Sequence, residues 1–481
     1  MSSDLKKKTV SGVLWSFAGQ FSVQGIQFLV SIVLARLLSP HDYGMIGMLA
    51  IFLAISQVFI DGGFSSALIQ RKDCDDTTYS TVFYINVGVS LVCYGILFAA
   101  APFIADFYGQ PLLRDIARVS SLSLVIGALS ATNTVQLTKR IDFKTQSKIN
   151  VASAVLSGVT GIVMAYSGFG VWALVAQSVS LSLFKLILTV MCVRWFPSPV
   201  FSGRIFKELF SFGSKLVLVS LISSVYTNIR SMIIGKRFTP ADLGQYTTAN
   251  KFATMAGTSI SGVLYNVSFP VLSKVQDDDA VLLDAYKRFL SVSAFAIFPL
   301  MMLLAGVAEP LIRFLVTDKW LECVPFLQIL CFGWMYDCLT KINLNLLYVK
   351  GRSDLVLRLE IVKKTIAFTI LFASCFLGIT GICIGAAVYD FIAFFCNTYY
   401  TKRLLGYGFK EQFLQTLPYL LLSMIVLAVS LMASSMLPLS PLPLILIAAT
   451  SSVAVYLFMS WVFRLPALKE LLSIIKQLFR K

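Results

Sequence analysis

Charge is scarce in this sequence. Only 13% of its 481 residues are Asp, Glu, Lys or Arg, where a soluble domain carries about 25%. No stretch has the composition of a sizeable soluble domain. There is a single histidine, and acids are few in the loops. The usual acid–base equipment of a hydrolase is therefore missing. No G-x-x-x-x-G-K-[ST] segment occurs, which argues against direct use of ATP. The nine cysteines form no C-x-x-C pair and fall mostly in apolar segments. They read as small core residues rather than redox groups, and no metal site or cofactor is expected.

What is abundant is apolar sequence, 57% of the chain. A helix needs about 20 mainly apolar residues to cross a bilayer, and such runs recur almost end to end. The chain reads as an all-α polytopic membrane protein with about fourteen spans. The first six lie near 11–38, 45–69, 79–105, 114–137, 147–167 and 170–195. Six more lie near 211–234, 244–271, 287–316, 323–349, 355–377 and 381–402, and two extra C-terminal spans near 413–436 and 443–463. "FPSPVFSGR" (196–204) is the clearest linker. The expected divisions are 1–200, 201–405, 406–463 and a tail, 464–481. The opening "MSSDLKKKTVSGVLW" reads as a first transmembrane helix rather than a removed signal peptide.

The net charge of +16 could suggest nucleic acid, but Lys and Arg collect in cytoplasmic loops of membrane proteins. With both termini inside, "KKK" (6–8), "KRIDFKTQSK" (139–148), "KGR" (350–352) and "TKRLLGYGFK" (401–410) all fall inside. "YSGFG" (166–170), "GITG" (378–381) and "LPLSPLP" (437–443), which carry no Lys or Arg, fall outside. "GKRFTP" (235–240) is the exception. The tail places Leu468, Leu471, Leu472, Ile475, Leu478 and Phe479 on one face, which suits a helix on the inner membrane surface or a docking helix.

An internal repeat organises the chain. "LLSPHDYG" (37–44) and "RFTPADLG" (237–244) align at an offset of 200, matching Pro40, Asp42 and Gly44 to Pro240, Asp242 and Gly244. Pro and Asp favour a turn there, and Gly admits a positive φ. The same offset takes a polar stripe of the first span, Gln20, Gln24, Gln27 and Ser31, onto Ser220, Ser224, Thr227 and Ser231. Looser matches link "RKDCDD" (71–76) with "KVQDDD" (274–279), and "GFGVWAL" (168–174) with "GITGICIGAAV" (378–388). Two six-helix copies entering the membrane in the same sense imply a pseudo-twofold axis along its normal. The stripes then line a common hydrated cavity, or else each packs inside its own bundle. The cavity set adds Gln57 and Asp61 of span 2, Asn228 and Arg230 of span 7, and Lys251, Thr254 and Thr258 of span 8.

Charge inside a bilayer is costly and needs a partner or water. Glu309 with Arg313, Asp337 with Lys341 and Glu360 with Lys364 are spaced to pair along a helix. Lys185, Lys215, Arg230 and Lys251 have no acid, and Asp61 and Asp390 no base, at such a spacing. The cationic excess suits an anionic cargo, with Arg230 and Lys251 as phosphate contacts. Amides and hydroxyls suit a sugar, and lipid-facing surface suits a tail. Asp61 reads as an ion or proton carrier, or as the ion-pair partner of a basic side chain from another helix. A coupling ion, Na⁺ or H⁺, is left open.

"LLSPHDYG", "DGGFSSALIQRKD" (61–73) and "GFGVWALV" (168–175) resemble the Wzx-type polysaccharide flippases of the multidrug/oligosaccharidyl-lipid/polysaccharide exporter superfamily. The resemblance covers the first six spans by motif and the second half by layout. It implies two helical lobes around a central cavity. The implied activity is inner-to-outer-leaflet flipping of an undecaprenyl-pyrophosphate-linked oligosaccharide in a bacterial inner membrane, beside polymerase or glycosyltransferase partners. The two extra spans are similar to a helix pair that holds the lipid tail in lipid II flippases. A multidrug exporter of the same superfamily is the alternative. A membrane glycosyltransferase or polymerase ranks below both: "DCD" (73–75) has only the spacing of a metal–nucleotide motif. The chain is not expected to be an enzyme.

Overall fold

The computed structural model describes residues 3–71, 74–436 and 439–470. Every regular element among them is a helix. The first ten are α1 (Ser3–Leu37), α2 (Pro40–Asp61), α3 (Phe64–Gln70), α4 (Asp76–Tyr108), α5 (Leu113–Ser120), α6 (Leu122–Lys139), α7 (Phe143–Tyr166), α8 (Val171–Val193), α9 (Gly203–Arg237) and α10 (Pro240–Lys274). There follow α11 (Asp279–Gly306), α12 (Ala308–Leu315), α13 (Cys323–Val349), α14 (Ser353–Ser374), α15 (Gly378–Leu405), α16 (Phe409–Met436) and α17 (Pro441–Val462). Twelve segments are long and apolar enough to cross a membrane. One of them, Ser353–Leu405, holds both α14 and α15. α10 has the length, at 35 residues, but is too polar to be among the twelve. With these two, each expected span falls on a helix or a broken helix. Most of the tail, 471–481, lies outside the described residues, as do Lys72 and Asp73 of the "RKDCDD" loop.

The chain divides into two compact units, Met1–Gly244 and Gln245–Lys481. The linker at 196–204 lies inside the first. α9 beyond it adds Leu209, Ile205 and Phe206 to an apolar cluster built on Phe64, Leu68, Val82 and Ile85. Ser198 and Trp195 hydrogen-bond to Asp76, and the Ser198 amide donates to Ser80 Oγ at 2.9 Å.

Along the chain the order of elements repeats, with the same local devices. α4 is capped by Asp75, whose Oδ1 accepts from the Thr78 amide at 2.9 Å. Bonds from Thr78 hold that carboxyl below the usual range. α11 is capped by Asp278, which accepts from the Ala280 and Val281 amides at 2.9 and 3.1 Å. Both helices carry an interior proline, Pro102 and Pro299. Each is followed by an eight-residue helix, α5 or α12. α8 starts after Gly170 and α15 at Gly378, with φ of 55° and 78°, which favour glycine.

The matched turns repeat to the atom. Ser39 Oγ donates to Asp42 Oδ2 at 2.6 Å, and the Asp42 amide donates back at 3.3 Å. Thr239 Oγ1 donates to Asp242 Oδ2 at 2.7 Å, and the Asp242 amide donates back at 3.2 Å. Each is a capping box that starts a helix with proline in its first turn. The glycines differ from the sequence reading. Gly44 and Gly244 sit inside α2 and α10, and neither has a positive φ. They are there for close approach: a Cβ on Gly44 would fall on the Pro240 carbonyl, and one on Gly244 on the Pro40 carbonyl. The two turns thus meet reciprocally.

The copies part company at the second span. α10 runs unbroken, whereas α2 stops at Asp61. Gly62 and Gly63 take φ of 51° and 69°, and α3 restarts beyond them.

In the second unit α16 is tied in by a buried polar network. Asn343 Oδ1 accepts from Tyr286 Oη and Thr401 Oγ1, each at 2.8 Å, and Asn343 Nδ2 donates to Gln412 Oε1 at 3.1 Å. Four helices, α11, α13, α15 and α16, meet at this one amide. Asn343→Ala strands two buried groups, Tyr286 Oη and Gln412 Oε1, at about 1–3 kcal/mol each, while Thr401 keeps the Asn397 carbonyl. It is expected to cost roughly 3 kcal/mol or more, read as a lowered thermal unfolding midpoint in detergent.

Candidate functional site

α1 packs on α7 through small residues. Gly19 admits Ser147, whose hydroxyl donates to the Trp15 carbonyl at 2.9 Å, and Gly158 admits Val30. The amide stripe is not used in that contact. Gln20, Gln24 and Gln27 are exposed, and none of their side-chain amides forms a hydrogen bond among the described residues. An unpaired polar group in hydrocarbon costs several kcal/mol, so three such amides in one row are out of place against lipid. Ser31 is half-buried and donates to the Phe28 carbonyl at 2.8 Å.

On α9, Ser220 and Thr227 are exposed, and Ser224, Asn228, Arg230 and Ser231 are half-buried. Thr227 Oγ1 and Asn228 Nδ2 each donate one bond to their own helix, at the Ser223 and Ser224 carbonyls, both at 2.9 Å. Arg230 donates to Tyr226 Oη at 3.1 Å and lies over that ring, 5.5 Å from its centroid. On α10, Lys251 is exposed, and Thr258 donates to the half-buried Thr254's carbonyl at 2.7 Å. The side chain of Lys215 lies outside the described residues.

The first unit holds a groove of about 480 Å³ between α2, α3, α6 and α8. Gln57 and Asp61 line it at the break of the second span, and Gln57 Nε2 donates to Asp61 Oδ1 at 2.9 Å. Lys185 of α8 lines the same groove within electrostatic reach of Asp61. The two make no direct ion pair among the described residues. Two charges with no partner in their own spans are thus brought together by the fold. Sequence reasoning missed the third wall. Ser123, Ser130, Thr134 and Thr138 form one face of α6 at steps of seven, four and four. That is the periodicity that singled out α1, but without amides or charges it did not stand out.

The paired charges of the second unit neutralise one another locally. Asp337 and Lys341 are 2.6 Å apart, with Ser261 bonding to both, at 3.4 and 3.3 Å. Arg313 bridges Glu309 at 3.1 Å and Asp318 at 3.0 Å. Glu360 pairs at 2.5 Å with Lys363, one residue before the expected partner, because that side chain is buried and needs a counter-charge. Asp390 lies against Gly333, where a Cβ would crowd its carboxylate. These groups do not join the groove. The described cysteines are all unpaired, and most are buried.

Similarity to known proteins points the same way as the layout. A family model described as "Polysaccharide biosynthesis protein" matches residues 33–325, more than half the chain. The teichuronic acid biosynthesis protein TuaB of Bacillus subtilis is 27% identical over 353 residues, covering 73% of each chain. The lipopolysaccharide biosynthesis protein WzxC of Escherichia coli K12 is 24% identical over 426 residues, 87% of this chain and 86% of that one. Among solved structures, the lipid II flippase MurJ in an inward closed conformation superposes with a TM-score of 0.77 at 15% identity. The match covers 94% of this chain and 98% of that one. At that identity the likeness speaks for the fold.

Proposed function

This chain belongs to the polysaccharide biosynthesis protein family, and on that premise we propose that it is a flippase for surface polysaccharide assembly. Its cargo is a polyprenyl-pyrophosphate-linked oligosaccharide, moved from the inner to the outer leaflet of a bacterial inner membrane by alternating access. Both termini face the cytoplasm. The observation that carries this reading is the row of exposed, unpartnered glutamines on a membrane-crossing helix. Dragging a bare pyrophosphate-sugar through hydrocarbon would strand many polar groups. A hydrated protein face gives the headgroup its hydrogen bonds while the polyprenyl chain stays in lipid. Arg230 and Lys251 supply charge for the pyrophosphate, and Gln20, Gln24 and Gln27 supply amides for the glycan.

The test is flux of a fluorescent lipid-linked oligosaccharide in proteoliposomes. A charge-assisted bond is worth about 1.5–3 kcal/mol. Arg230→Gln and Lys251→Gln should therefore each slow flux by roughly one to two orders of magnitude at unchanged expression. Wild-type protein that leaves this lipid in place but exports cationic dyes would make it a drug exporter of the same fold.

A further inference from the structure

The groove at the broken second span has no role in the reading above. A membrane helix interrupted by glycines where a polar pocket opens is a common way to build a transporter binding site. Here Asp61, the last residue before the Gly62-Gly63 interruption, and Ser65, just after it, both line the groove. Its volume, about 480 Å³, falls within the roughly 300–1,000 Å³ of small-molecule sites. The chemistry of its walls then selects the ligand.

Most of those walls accept hydrogen bonds. Ser130, Thr134 and Thr138 donate their protons to the carbonyls of Gly127, Ser130 and Thr134, at 2.9, 2.9 and 3.1 Å. Their oxygens keep lone pairs for a ligand. Gln57 gives an N–H to Asp61 and keeps its carbonyl oxygen. Asp61 adds a carboxylate, and Lys185 is the groove's cationic donor. An inorganic cation would suit the acceptors but is repelled by Lys185. A pyrophosphate would suit Lys185 but meets Asp61 and a wall of acceptors. A neutral, donor-rich polyol is what remains. Its hydroxyls satisfy the oxygens, one of its oxygens takes a bond from Lys185, and its C–H faces lie on Val135 and Leu181.

We propose that this groove is a saccharide subsite, which holds a hexose unit of the cargo apart from its pyrophosphate. The proposal rests on the flippase reading, and two measurements separate their fates. The first is saturation-transfer NMR on the purified full chain with methyl hexosides as probes. Wild-type protein is expected to give a signal that Thr134→Val and Lys185→Met abolish and that inorganic pyrophosphate leaves intact. Thr134→Val keeps shape and removes a hydroxyl, so it decides if the lysine variant fails to fold. A signal equal in the variants, or one displaced by pyrophosphate or by phosphoethanolamine, overturns the subsite.

The second is the ratio of fluxes for a polyprenyl pyrophosphate carrying a disaccharide and for polyprenyl pyrophosphate alone. Lys185→Met is expected to lower that ratio at least tenfold. A ratio held at the wild-type value overturns the subsite while leaving the flippase standing. Wild-type protein that moves neither lipid removes the flippase reading instead, and the NMR result then decides whether the groove binds sugar at all.

Discussion

Gly44→Val and Gly244→Val should each reduce lipid-linked oligosaccharide flux by tenfold or more, and the double variant should be hardly worse than either. A Cβ at either position would land on backbone, the Pro240 carbonyl in one case and the Pro40 carbonyl in the other. Overpacking a tight contact costs about 1–3 kcal/mol where side chains can shift. Here the neighbour is a proline carbonyl at a capped helix start, which cannot swing aside. Both substitutions part the same pair of turns, so once one has done so the other has little left to disturb. Energies of residues in direct contact do not add. The measurements are flux in proteoliposomes and the unfolding midpoint for the two singles and the double. Gly95→Ala is the control, since a Cβ there meets nothing within 4 Å. Losses that sum in the double variant would mean that the turns act separately.

Gly213→Val is expected to have an effect of similar size, through the other end of α2. A Cβ on Gly213 would fall on the Gly62 carbonyl, and one on Gly63 would come within 2.7 Å of the Gly213 Cα. α9 therefore braces the break in the second span by backbone contact. A salt bridge lies nearby, Arg71 to Glu208 at 3.3 Å, but Glu208 is 61% exposed. Exposed pairs are worth about 0–1 kcal/mol, against several for an overlap with backbone. Glu208→Gln should accordingly keep flux within about twofold of wild type, while Gly213→Val loses at least tenfold. If the two variants were equally impaired, the charge pair rather than the glycine contact would hold α9 to the break.

Much of the fold is legible in the sequence. Each expected span meets a helix because length and apolar composition are local properties, fixed by what hydrocarbon tolerates. The 200-residue offset from Pro40-x-Asp42-x-Gly44 to Pro240-x-Asp242-x-Gly244 was legible because capping boxes are also local. The candidate site was legible in part. The periodicity of Gln20, Gln24 and Gln27 exposed a polar face, but nothing in it said whether that face would be packed or wet. Glu360 turned to Lys363 rather than Lys364 because burial, which spacing does not report, chose the partner.

The sequence by itself determined that this chain lives in a bilayer, that its helices come in two copies, and which side chains had to find water or a partner there. Tertiary structure alone decided who those partners are. Asp61 and Lys185 lie 124 positions apart in the chain yet share one groove, and Gly44 is small because Pro240 lies against it. The physical reason is range. Hydropathy and helix periodicity act within a few turns of one segment, whereas close approach and charge proximity depend on how distant segments pack.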